Sequence, residues 1–187
     1  MNPLPINFYT RPTLTVAREL LGARLVRILD GVRVAGMIVE TEAYVGESDL
    51  GCHAKAGKTP RTAVMYGRAG IAYVYFTYGM HWLLNAVTEA EGFPAAVLIR
   101  GIAPVEGLEL MSARRNGRGF DGPAKVTQAM GIGRDENGLD LTETGRGLWI
   151  EPGEAIPDDS VTIGPRVGLN SVPEPWKSIP WRFRVRE

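Results

Sequence analysis

The sequence predicts an α+β fold: one compact domain, residues 1–187, with a mostly antiparallel, curved β-sheet and flanking helices. Three observations lead there. Hairpin signals outnumber strand–helix–strand units. A length of 187 residues fits one domain, which at this size buries roughly 70% of its unfolded surface. Hydrophobic residues at 44% and charged residues at 22% are ordinary for a chain with a packed core.

The elements follow in order. Thr10 before Arg11-Pro12 starts a helix, and Leu14, Ala17, Leu20 and Leu21 carry it to Gly22. Residues 24–29 and 32–44 are rich in β-formers and flank Asp30-Gly31, a hairpin signal. Residues 46–69 are polar and basic with few periodic apolar positions, a long loop whose length marks it as functional. Residues 71–78 and 80–90 read as two strands around Tyr78-Gly79, and 95–102 as a buried strand. Pro104 opens a helix over 104–115, and Gly122-Pro123 starts another over 124–130. Gly131-Ile132-Gly133 resembles a helix-hairpin-helix turn but has no second helix signal, so it reads as a helix C-cap. Residues 148–151, 160–167 and 181–185 complete the sheet.

Composition excludes several classes. One cysteine, Cys52, rules out an internal disulfide framework and suits a reducing, cytoplasmic setting. With only His53 and His81 beside it, a Cys/His structural zinc site is not expected, nor is any cofactor. The N-terminal residues lack a basic and apolar leader, and no apolar run nears the roughly 18 residues of a membrane span. Net charge is zero, 21 basic against 21 acidic residues, which at first argues against a polyanion partner. The distribution argues otherwise. Lys55, Lys58, Arg61 and Arg68 lie in an acid-free stretch, as do Lys177, Arg182, Arg184 and Arg186, and Arg114, Arg115 and Arg118 cluster. Eight acids against Arg146 alone fill residues 135–159. A basic face with an acidic back is one reading; chance variation on a solvated surface is the other.

The chemistry concentrates in two strands and the loop between them. Strand period two puts Glu40, Glu42 and Tyr44 on one face and Val39, Thr41 and Ala43 on the other. Two neighbouring carboxylates repel unless solvated or paired; beside an aromatic wall, one of them can be a base for water. Tyr73 and Tyr75 share a face, where Tyr75 suits a stacking wall and Tyr73 the core. Tyr78 sits at a hairpin tip, costly unless it contacts something, and with Met80 it suits a wedge between bases. Lys58, Thr59, Arg61 and Lys125 carry donors suited to phosphate oxygens.

Together these segments resemble the alkyladenine (3-methyladenine) DNA glycosylase family over residues 18–167. The likeness is carried by Leu20-Leu21-Gly22, Ile38-Val39-Glu40-Thr41-Glu42-Ala43-Tyr44, His53, Thr59-Pro60-Arg61, Tyr73-Val74-Tyr75, Tyr78-Gly79-Met80, Asn85, Leu98-Ile99-Arg100 and Gly122-Pro123-Ala124-Lys125. The resemblance implies a monofunctional, monomeric enzyme of base excision repair. It would act on double-stranded DNA containing damaged purines (3-methyladenine, 7-methylguanine, hypoxanthine, ethenoadenine), with no cofactor or metal and no membrane. It further implies Glu42 as the base that deprotonates water, with Arg100 near the flipped nucleotide. Tyr44, His53 and Tyr75 would be the walls around the flipped base. Tyr78 with Met80 would form the DNA wedge on its hairpin, and Asn85 would reject guanine. Alkylpurine cations would be held by the electron-rich rings, and Glu42 in a water-filled site would ionise with little shift. His81 departs from the aromatic residue expected beside the wedge, and a basic N-terminal extension is absent. Two alternatives stand beside this reading: a non-catalytic nucleic-acid-binding module of the same fold, and a glycoside hydrolase using Glu40 and Glu42.

Overall fold

Two short helices, α1 (Ile6–Tyr9) and α2 (Thr13–Glu19), precede the first hairpin in the computed structural model, which describes residues 2–186. The single helix expected over 10–22 is therefore shorter, because the chain turns at Thr10 to Pro12 and Gly22 ends the run. Gly22 holds φ +86°, and a Cβ there would meet the Glu154 carbonyl oxygen at 1.8 Å, so only glycine fits.

Strands β1 (Arg24–Leu29) and β2 (Val32–Val45) form the predicted hairpin. Asp30 and Gly31 take φ of 51° and 80°, the paired left-handed turn that matches strand twist. The segment after β2 is no open loop. It contains 3-10 turns at His53–Ala56 and Ala63–Tyr66, and buries Cys52, Ala54 and Met65 against Tyr73, Val87 and Ala96. This second small core fixes the segment on the sheet.

Strands β3 (Ala72–Thr77) and β4 (His81–Val87) enclose a tip of Tyr78, Gly79 and Met80. Strand β5 (Ala95–Glu106) runs on through Pro104, where a helix was expected, and α3 (Leu108–Arg114) begins only after Gly107. Pro104 lies opposite Gly36 next to a register irregularity, the kind of place where a strand tolerates a missing N–H. Helix α4 (Pro123–Ala129) follows Gly122, and Gly131 at φ +59° caps its end. Strands β6 (Leu148–Glu151), β7 (Val161–Gly164) and β8 (Arg182–Val185) close the sheet. The strand expected over 160–167 stops at Gly164, before Pro165, and Arg166 and Val167 leave it.

All the strand pairs are antiparallel, in the order β3-β4-β5-β2-β1-β6, with β8 on β2 and β7 on β8. The 14-residue β2 is long enough to pair along one edge with β1 in its first half and with β8 in its second. That branching curls the sheet into a half-barrel. The main core lies under it, against α2 and α4. Thr41 turns towards α2, its hydroxyl donating to the Ala17 carbonyl at 2.7 Å, and Ala43 is buried in the same core. The opposite face of β2 is left for Glu40, Glu42 and Tyr44, as the alternation predicts.

Candidate functional site

Strand register assembles the site. Tyr73 pairs with Asn85, Asn85 with Leu98, Leu98 with Glu42, and Glu42 with Arg182. Directly opposed residues put their side chains on one face, so four cross-strand pairs lay a continuous row across five strands. Two β-bulges interrupt it, leaving Val39 on β2 and Arg100 on β5 without opposite numbers. A bulge re-aims the side chain it frees. Arg100 swings onto the carboxylate face, its Nε 3.1 Å from Glu40 Oε1 and 3.4 Å from Glu42 Oε1. Arg182 reaches Glu40 Oε1 at 3.3 Å. The repulsion between the two carboxylates is thus answered by two guanidinium groups.

Above this row opens a cavity of about 370 Å³. Tyr44 lines one part of it, and His53, Tyr73 and Tyr75 another. The His53 and Tyr75 rings meet edge to face with centroids 4.5 Å apart, and Tyr73 and Tyr75 are tilted at 5.3 Å. His53 Nδ1 and the Tyr73 hydroxyl are 3.2 Å apart, which holds the imidazole in place. Tyr73, expected in the core, is buried and also lines the cavity. Asn85 is buried too, its amide nitrogen donating to the Tyr73 carbonyl at 3.0 Å. Burial and the cations Arg61 and Lys55 push His53 down to about 4, so its ring is neutral at pH 7.

Glu42 is not in a water-filled site. It is fully buried and stands one layer behind the cavity wall formed by Tyr44, Arg100 and Val167. Its Oε2 accepts from the Tyr44 hydroxyl at 2.8 Å and its Oε1 from the Val167 N–H at 2.6 Å. Desolvation raises its pKa above the ordinary value; Arg100, the Val167 N–H and the Tyr44 hydroxyl pull the other way. No local pattern predicts the Val167 contact, because it comes from a loop 125 residues away.

Arg166, the residue before it, was also missed. Its side chain is wholly buried, clamped by Asp49 at 2.5 and 2.8 Å, and it donates to the Ala43 carbonyl at 3.0 Å. Its guanidinium lies between the Tyr44 ring, 4.6 Å from the centroid, and the Trp181 ring at 5.1 Å. The only local signal was a lone base between Pro165 and Gly168, following a strongly acidic stretch.

Of the wedge candidates, Tyr78 lies at the cavity rim, and Met80 shares its hairpin tip. Tyr78 is 82% exposed and Met80 66%. Tyr78 holds φ 52°, a conformation that costs a bulky residue about 1–2 kcal/mol. Folding alone does not favour tyrosine there. Among the proposed phosphate contacts, Lys58 lies over the Tyr66 ring, and Thr59 is tied into a turn with Thr62. Arg61 lies over Tyr75, and Lys125 pairs with Asp121 at 2.8 Å. The acidic stretch is no separate back face: Glu136, Asp140, Glu151 and Asp158 pair with Arg27, Arg68, Arg33 and Arg18. Arg68, counted among the basic loop residues, is therefore neutralised. Among the described residues no helix is long and apolar enough to cross a membrane.

Comparison with known proteins is concordant. The chain matches the family model of methylpurine-DNA glycosylase (MPG) over residues 7–187. A Myxococcus xanthus protein is 49% identical over 187 residues, covering 100% of this chain and 92% of that protein. A Methanocella arvoryzae protein is 50% identical over 188 residues, covering 98% and 92%. One from Carboxydothermus hydrogenoformans is 44% identical over 187 residues, covering 98% and 95%. All three bear the name "Putative 3-methyladenine DNA glycosylase".

Proposed function

Because the chain belongs to the methylpurine-DNA glycosylase family, hydrolases that cut N-glycosyl bonds of alkylated bases in DNA during base excision repair, we propose that it excises alkylated or deaminated purines by a water that Glu42 activates. The substrates are 3-methyladenine, 7-methylguanine, hypoxanthine and ethenoadenine in double-stranded DNA. The observation that carries this reading is the buried Glu42 carboxylate, paired with Arg100, directly behind a cavity walled by Tyr44, His53 and Tyr75.

Chemistry on a base in a duplex needs the nucleotide extruded, at a cost of a few kcal/mol that is smaller for damaged pairs. Tyr78 and Met80 enter the stack and hold the vacated space. The purine lies between Tyr44 and the His53/Tyr75 wall, where stacking returns about 1–3 kcal/mol. Asn85, pinned by Tyr73, rejects the 2-amino group of guanine. Water enters at the Glu42–Arg100 edge. Its oxygen bonds to C1′ of the deoxyribose, the C1′–N9 electron pair departs with the purine, and the water proton passes to Glu42. Arg100 holds Glu42 ionised against its burial and orients it. The transition state has positive charge on the sugar, which the carboxylate stabilises. Lys58, Thr59 and Lys125 are candidates to meet phosphates along the approach. All these residues come from one chain, so a monomer suffices. Glu40 lines a separate recess with Asp121 and Arg184 instead of the aromatic cavity, which disfavours the glycoside hydrolase alternative.

The reading is tested by incubating the protein with duplexes carrying each of the four lesions and measuring free base. Release from at least one, with an abasic site left behind, is the expected result. Binding without release would favour a non-catalytic module.

Tyr78→Ala should weaken binding to a lesion duplex about tenfold, the value of one lost stacking contact. Chemistry on prebound substrate should slow less than that. Titration of wild type and variant with a labelled duplex checks this, and equal affinities would remove Tyr78 from the wedge. The melting temperature should not fall, because the side chain is exposed and its backbone strained.

A further inference from the structure

We propose that Arg61, the guanidinium against the Tyr75 wall, sets the charge selectivity of the cavity in favour of neutral damaged purines over cationic ones. The proposal rests on the glycosylase reading above and deepens it. Arg166 lies over the Tyr44 ring at 4.6 Å from the centroid, and Arg61 over the Tyr75 ring at 5.2 Å. Both rings line the cavity and neither guanidinium does. Each guanidinium therefore contacts a ring that also lines the cavity.

An aromatic ring attracts a cation through its negative π cloud. With one cation already against it, the ring has less to offer a second, and the two positive charges repel through it. This opposes the simple attraction of electron-rich rings for alkylpurine cations. The surrounding groups are mostly compensated. Glu42 and Glu40 face Arg100, Glu40 also faces Arg182, and Asp49 clamps Arg166. Arg61 differs: among the described residues no carboxylate pairs with it, and its backbone contact is the Phe76 carbonyl at 3.4 Å. The same field is felt by His53, whose protonation Arg61 opposes.

Bond cleavage adds a second effect of the same sign. The C1′–N9 electron pair stays on the departing purine. A 7-methylguanine cation becomes neutral, whereas hypoxanthine becomes an anion until a proton reaches it. A nearby guanidinium stabilises the second leaving group and not the first.

The test is single-turnover base release from two duplexes that differ only in carrying hypoxanthine or 7-methylguanine. Arg61 is exposed, so Arg61→Met should fold. The hypoxanthine to 7-methylguanine rate ratio should fall about fivefold in Arg61→Met, the scale of one cation–π contact. It should be largely retained in Arg61→Lys. The paired change Asp49→Asn with Arg166→Met removes a mutually neutralising pair and should leave the ratio near the wild-type value. An equal loss on both substrates, with a shallower salt dependence of binding, would make Arg61 a phosphate contact and overturn the proposal. An unchanged ratio in Arg61→Met overturns it too, while leaving the glycosylase intact. Failure of the wild-type protein to release either base, while it releases 3-methyladenine or ethenoadenine, overturns this inference alone; failure on all four lesions overturns the glycosylase reading with it.

Discussion

Glu42→Gln is expected to lower the single-turnover rate of base release by about 10²–10⁴-fold, the usual contribution of a positioned general base. Glutamine has the same shape. Its carbonyl oxygen can still accept from the Val167 N–H or the Tyr44 hydroxyl, so the wall keeps its geometry. What is lost is the negative charge that takes the proton and faces the cationic sugar. Lesion binding should survive, because the aromatic walls are untouched. The pH profile makes the assignment specific. Glu42 works ionised, and burial raises its pKa above 4.5. The wild-type rate should therefore rise with pH through a limb lying above that value and then level off, and the variant should lack the limb. Release at the wild-type rate by Glu42→Gln would end the mechanism.

Asp49→Ala should destabilise the fold by about 3–5 kcal/mol, the cost of stranding one member of a buried ion pair. Asp49 and Arg166 are both without solvent contact and joined by two hydrogen bonds. Asp49 also accepts from the Val45 and Gly51 N–H groups at 3.2 and 2.9 Å, which are left unpaired as well. For a chain of this size the loss amounts to a melting temperature lower by roughly 10 °C. Urea unfolding of wild type and variant measures it, and a difference under about 1 kcal/mol would show that the pair is solvated after all. The paired change Asp49→Asn with Arg166→Met should recover much of the loss, since two neutral groups leave no stranded charge. Arg166 directly precedes Val167, whose N–H donates to Glu42, so freeing Arg166 in Asp49→Ala should loosen that contact and slow base release even below the unfolding transition.

Local pattern located most of the candidate site. Alternation along 38–44 placed Glu40, Glu42 and Tyr44 together, because the side-chain period of a strand is a property of the backbone alone. Tyr73 and Tyr75 followed by the same rule, and Tyr78-Gly79 was recognisable as a turn. The helix expected over 104–115 failed because proline opens helices and also tolerates strand irregularities. The pairing with β2, irregular beside Gly36, lets the strand continue through Pro104, and local sequence does not show that partner. The basic loop was read from charge, but charge counts do not say which partners are near, and Asp140 proved to be the partner of Arg68.

The sequence by itself determined which residue types sit on which face of each strand, where the hairpins turn, and the family to which such motifs belong. Tertiary structure alone decided the electrostatics of the site. The contacts that bury and hold Glu42, clamp Arg166 to Asp49 and bring Arg182 to Glu40 join residues 125, 117 and 142 positions apart. Periodicity carries no information over such distances. The state of a carboxylate depends on the charges and dipoles within a few ångströms of it, and only the folded sheet determines which those are.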